Sequence, residues 1–179
     1  TKGDRFMNKK IMYIITILST AVLLFLDQIA KYLAVLHLKG QAAIPIIKNV
    51  FELQYLENQG AAFGIMQGKK TFFVIGTLIF LVIVGILYHN IPLTKRFTPI
   101  RIVAVLIVAG AIGNMIDRVV HQYVIDFFYF KLINFPIFNV ADIYVVVACI
   151  LFILLMLFYY KEEELGQIFP FMKSKKAEE

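Results

Sequence analysis

The stretch NVADIYVVVACILFILLMLFYY, residues 139–160, decides how the chain must be read. From Ile143 to Tyr160 it runs 18 residues without a charge. A helix crossing the hydrocarbon of a bilayer needs about 20 mostly apolar residues, so this run predicts a spanning helix with Asp142 at its N-terminal boundary. Working back along the chain, three more uncharged runs have similar length. They are Ile11–Leu26 (16 residues, or 26 if continued past Asp27 and Lys31 to Leu36), Thr71–Tyr88 (18) and Ile102–Ile116 (15), the last ending at Asp117-Arg118. Two of these are short unless the adjoining polar residues also belong to the helix. The expected spans are therefore about 11–36, 71–91, 100–118 and 140–160.

Composition agrees. Hydrophobic residues make up 60% of the 179 and charged residues 17%, against roughly 45–50% and 25% in soluble domains. A soluble domain of this size cannot bury so much apolar surface, and the excess must face lipid. The one cysteine, Cys149, excludes an intrachain disulfide framework; inside span four it reads as a small packing residue. The net charge of +6 does not point to nucleic acid, because the basic residues flank apolar runs and accompany no RNA- or DNA-binding motif.

Lysines and arginines orient the spans. Four spans put both termini on one side. Placing that side in the cytoplasm leaves 11 of the 18 basic residues inside, including Lys9, Lys10, Lys95, Arg96, Arg101 and Lys161. Lys9 and Lys10 before the first run raise the possibility of a cleaved signal peptide. The length of the run, Asp27 within it and the three later spans argue for a retained helix. Residues 1–6 read as an expression scar before Met7-Asn8-Lys9-Lys10, and residues 161–179 as a polar, frayed cytoplasmic tail.

Two segments lie outside. The first, about 38–70, contains Ile44-Pro45-Ile46-Ile47 and Val50 to Leu56, whose loose alternation of β-branched and aromatic residues predicts a small strand-containing element on the outer surface. The second, about 121–137, is rich in aromatics that suit the membrane interface.

On this topology Asp27, Asp117, Asp126 and Asp142 come from four separate stretches to one membrane boundary. Ionisable groups in spanning segments are costly and by default mark a functional site. Each also has a plainer reading. Asp27 and Lys31, four apart on a helix, could neutralise each other. Asp117-Arg118 could be an ion pair closing span three. Asp142 follows Asn139 at capping distance. Asp126 has no basic neighbour in sequence.

Other chemistries are poorly supplied. Ser19 and Ser174 are the only serines, neither at this boundary, and His37, His89 and His121 are scattered without zinc spacing. Carboxylates remain as catalysts: of two in one site of low dielectric, one stays protonated while the other acts as a base. Topology and charge alone do not choose which pair.

Five segments carry a resemblance to bacterial lipoprotein signal peptidase (signal peptidase II), from Met7 to about Tyr160. They are Asp27-Gln28-x-x-Lys31, Asn58-Gln59-Gly60-Ala61-Ala62-Phe63-Gly64, Gly110-Ala111-x-Gly113-Asn114-x-x-Asp117-Arg118, Val124-x-Asp126-Phe127 and Phe135-Pro136-x-Phe138-Asn139-x-Ala141-Asp142. The resemblance implies an all-α membrane protein, a four-transmembrane-helix bundle with a small β-strand-containing extracytoplasmic cradle, in the bacterial cytoplasmic membrane. It implies an aspartyl endopeptidase that cuts prolipoproteins just before a diacylglyceryl-modified cysteine, with Asp126 and Asp142 as the catalytic pair. Asp27, Lys31, Asn58, Gly60, Asn114, Asp117, Arg118 and Asn139 fall on the family's substrate-binding or dyad-supporting positions. No cofactor, metal or nucleic-acid partner is expected, the partners being lipidated prolipoproteins and membrane lipid, and a monomer would suffice. The rival readings are a proton-coupled small transporter, for which the spans show no evident internal repeat, and an interaction protein docking through its outer segment.

Overall fold

The computed structural model describes residues 8–60 and 69–169. The Ala61–Gly64 part of the second motif, residues 1–6 and the end of the tail lie outside the described residues.

Four helices are long and apolar enough to cross a membrane, and the chain is a multi-pass membrane protein. Helix α1 (Lys9–Leu38) is capped by Asn8, whose side chain accepts from the Lys10 N–H. At 1.5 Å per residue its 30 residues extend about 45 Å, which exceeds the hydrocarbon thickness and lets it carry Asp27 and Lys31 without a break. Helix α2 (Lys70–Asn90) buries only Tyr88. Helix α3 (Thr98–His121) starts with Pro99, suited to a first turn where its missing N–H costs nothing, and ends at Gln122 in the left-handed conformation. Helix α4 (Val140–Leu154) begins in a capping box and closes with a π-helical turn, Leu155–Tyr159. The runs that looked short are completed as the sequence required: Asp27, Lys31, Asp117, Arg118 and Asp142 all lie within helices.

Helix α3 is central and packs on α1, α2 and α4. Its approach to α4 depends on missing side chains. A Cβ on Gly110 would sit 2.6 Å from the Ala141 carbonyl oxygen, and one on Gly113 would sit 2.6 Å from Asp27 Oδ2. The outward faces stay apolar and uncovered, Phe25 at 64% and Phe158 at 80% exposed, as lipid contact demands. Cys149 is exposed on this surface. It is Ala148, fully buried, that packs inward, so the expected packing role belongs to its neighbour.

At one end of the bundle sits a three-stranded antiparallel sheet, β1 (Ile44–Ile47), β2 (Phe51–Asn58) and β3 (Val124–Tyr129), in the order β1-β2-β3. The first two strands are those the alternation predicted. Pro45 is tolerated because β1 is an edge strand. The third comes from the segment read only as an aromatic interface loop. Its register sets Leu56 opposite Asp126 and Asn58 opposite Val124. Ile125 and Phe127 pack with Ala34 and Leu38 of α1, seating the sheet on the bundle. Strand β3 also bridges the segment before α4 through Phe128 and Phe138.

At the other end a second apolar cluster gathers Met12, Tyr88, Phe97, Ile100, Tyr160 and Ile168. Ile168 belongs to a short helix, α5 (Glu162–Ile168). The expectation of a frayed tail is therefore corrected for this part. Leu165, Ile168 and Phe169 recur at helical spacing and are buried, and Arg96 grips Glu164 through Nε at 2.9 Å and Nη2 at 3.1 Å.

Candidate active site

Four elements meet beneath the sheet. Strand β3 supplies Asp126, the α4 N-terminus supplies Asn139 and Asp142, α3 supplies Asn114, Asp117 and Arg118, and α1 supplies Asp27 and Lys31. The end of β2 adds Asn58, followed by Gly60.

Asp126, 1% exposed, accepts Asn58 Nδ2 at 2.9 Å on Oδ2 and Asn139 Nδ2 at 2.6 Å on Oδ1. Asp142 accepts Asn114 Nδ2 at 2.8 Å on Oδ1 and the Asn139 N–H at 3.1 Å on Oδ2. Asn139 in turn accepts the Asp142 N–H at 3.1 Å, so Asp142 is both the N3 member of a capping box and a wall of the site. The plainer reading and the functional one describe the same residue. Asn139 also donates to Asn114 Oδ1 at 3.1 Å, so one amide bridges toward both carboxylates. Burial, and then the charge of Asp142, push the Asp126 carboxyl up to about 7, against the opposing donors Asn58 and Asn139.

Behind the asparagines lies an ionic layer. Lys31 Nζ stands 2.9 Å from Asp27 Oδ2, 2.9 Å from Asp117 Oδ2 and 3.0 Å from Asn114 Oδ1. Asp27 and Lys31 thus do pair, but as part of a triad crossing from α1 to α3. The Asp117–Arg118 ion pair that could have closed span three is not formed: Asp117 turns to Lys31 and accepts the Ile125 N–H at 3.1 Å, fixing β3 one residue from Asp126. Asp27 accepts the Ala141 N–H at 2.9 Å, fixing α4 one residue from Asp142. Each carboxylate of the inner layer therefore positions the backbone beside one of the outer layer. Among the described residues no buried side-chain nitrogen or oxygen lacks a partner, as a polar layer in low dielectric requires.

Arg118 leaves this layer for the cleft. Its Nη2 reaches the Gly60 carbonyl at 3.1 Å, Nη1 the Asn114 carbonyl at 3.3 Å, and its guanidinium lies 4.7 Å from the Phe73 ring centre. Asp126, Asp142, Asn58, Asn114 and Arg118 line a cleft of about 760 Å³ whose remaining walls, among them Ala111, Ile143, Val145 and Val146, are mostly apolar. Among the described residues no three His, Cys, Asp or Glu side chains group as metal ligands.

All ten sequence-selected residues thus fall in or against one site. Sequence reasoning left out Gln28, whose Nε2 donates to Asp27 and Asp117, each at 3.1 Å, and Gly113. Both stand within the quoted motifs, Gln28 next to Asp27 in sequence and Gly113 next to Asn114.

The family model for signal peptidase (SPase) II matches residues 19–158. A lipoprotein signal peptidase of Clostridium novyi (strain NT) is 45% identical over 133 residues, covering 72% of this chain and 87% of its own length. One from Streptococcus pyogenes serotype M5 (strain Manfredo) is 38% identical over 150 residues, with 84% and 95% covered. A bacterial membrane enzyme solved by the in meso method at 1.9 Å superposes with a TM-score of 0.69 at 32% identity, over 81% of this chain and 94% of that one. With the match reaching all four spanning helices and covering every strand, the chain belongs to the signal peptidase II family.

Proposed function

We propose that the protein is an aspartyl endopeptidase that removes signal peptides from prolipoproteins, cutting just before a lipid-modified cysteine. The relatives' shared name supplies the substrate class. The observation that carries the mechanism is the pair of carboxylates, Asp126 and Asp142, from unconnected elements, held by three asparagines on the wall of one largely apolar cleft.

Asp126, whose carboxyl is pushed up to about 7, is assigned the shared proton. Asp142, facing the N–H groups that open α4, is the base. Water between them loses a proton to Asp142 as its oxygen attacks the scissile carbonyl. Asp126 hydrogen-bonds the carbonyl oxygen as it gains charge, and the proton taken by Asp142 passes to the departing amine. The apolar walls receive signal-peptide side chains and acyl chains from the bilayer. Asn58, the Gly60 carbonyl and Arg118 border the path of the peptide. The far end carries Lys9, Lys10, Lys95, Arg96, Arg101 and Lys161, so the sheet end faces away from the cytoplasm.

The test is cleavage of a diacylglyceryl-modified prolipoprotein in detergent by wild type, Asp126→Asn and Asp142→Asn. Loss of at least ~10³-fold in kcat, with each variant still folded and inserted, is expected for removal of an acid or base. Substantial residual cleavage by either variant would sink the pair.

A further inference from the structure

We propose that a second, polar cleft beside the catalytic one binds the first residues of the mature lipoprotein, on the far side of the scissile bond from the signal peptide. This inference rests on the peptidase reading above.

The cleft measures about 560 Å³ and is lined by Gln54, Glu57, Asn58, Gln59, Tyr129 and Asn134, among others. It shares Asn58, Phe135, Pro136 and Ile137 with the catalytic cleft. Asn58 is the hinge between the two: its Nδ2 holds Asp126, and its chain neighbours Glu57 and Gln59 line the polar side. A peptide cut at Asp126 and Asp142 has to leave the catalytic cleft in two directions. The walls formed by Ala111, Ile143, Val145 and Val146 run along α3 and α4 and suit the apolar signal segment. The shared wall opens instead onto the sheet, where a water-bound chain has to go.

The chemistry of the polar cleft fits a peptide backbone. Gln54, Gln59 and Asn134 each offer a neutral donor and acceptor, the pairing set of an amide. Leu56 and Asn58 alternate along β2, and Gln54, beyond the break in register between Leu53 and Leu56, lines the same cleft. An extended chain beside them advances about 3.3 Å per residue, so two or three residues past the cysteine suffice to reach Gln54. Asn134 is fixed in the left-handed conformation (φ 47°) and receives the Tyr129 hydroxyl at 2.7 Å. That bond leaves its amide N–H groups for a ligand. Recognition through neutral amides reads main chain more than side chains.

The experiment uses lipidated prolipoprotein peptides ending one, three or six residues past the cysteine. Each is cleaved by the full-length wild type and by a Gln54→Ala/Asn134→Gly double variant, glycine being chosen because it accepts the positive φ. For wild type, kcat/KM should rise about tenfold from the shortest peptide to the third residue and then level, two neutral hydrogen bonds being about that factor. In the double variant the series should be flat at the shortest peptide's value, with the change in KM. The same rise in variant and wild type, or an equal fall on all three lengths, would overturn the proposal. Failure of wild type to cleave any of the three would overturn the peptidase reading itself, a distinguishable result.

Discussion

Asp126 shows how much one residue's surroundings decide. Alone in sequence it is an aspartate between Ile125 and Phe127; folded, it is buried beside Asp142, and its carboxyl is raised to about 7. Two pH effects follow. The proposed mechanism uses Asp126 protonated, so kcat/KM should fall about tenfold per pH unit above roughly 7, as the coupled pair's apparent value; a pH–rate profile of the lipidated substrate measures it. Stability has the same sign. The folded state keeps this proton up to about 7, whereas the unfolded chain releases it near 3.9, so the contribution is present below the lower value and disappears as pH rises through the upper one. The melting temperature of Asp126→Asn relative to wild type should therefore be higher at pH 8 than at pH 5. Lys31 gives the complementary case. Lys31→Met leaves Asp27 and Asp117 buried without their cation and should cost about 3–5 kcal/mol, read as a sharp fall in melting temperature in detergent.

At the scale of elements, the seat of α3 against α1 and α4 is set by missing side chains. Gly113→Ala would drive a methyl into the Asp27 carboxylate, a group already held by Lys31, Gln28 and the Ala141 N–H. It should lose about 1–3 kcal/mol by overpacking and depress kcat as well, because Asp27 fixes α4 beside Asp142. Thermal unfolding and single-turnover cleavage on the same preparation separate the two effects. Strand β3 has a similar double duty, since the bond from Ile125 N–H to Asp117 ties the sheet to the ionic layer one residue from Asp126.

The whole molecule divides into an end under the sheet, which holds the proposed active site, and an opposite end closed by α5. The grip of Arg96 on Glu164 and the burial of Ile168 at 1% exposure hold that helix in the distal cluster. Ile168→Asp should lower the melting temperature, since it buries a charge without a partner. The kcat/KM of the molecules that remain folded should stay within about twofold, distant sites acting independently. A selective loss of kcat at unchanged melting temperature would show the two ends to be coupled.

Length and hydropathy alone determined the four spans, because lipid leaves a buried backbone few alternatives to helix, and the run of β-branched and aromatic residues between them determined two strands. The motifs marked out ten residues that the fold gathers around one cleft. Tertiary structure decided the rest. It completed the sheet with Val124–Tyr129, whose pairing with Phe51–Asn58 spans a separation in sequence that local pattern does not record. It folded α5 against a cluster whose other members lie far away in the chain. It turned Asp117 from Arg118, its neighbour, to Lys31 on another helix, because only packing sets which charges share a low-dielectric layer. The spans were written in local composition; the partners of each buried charge were settled by contact across the fold.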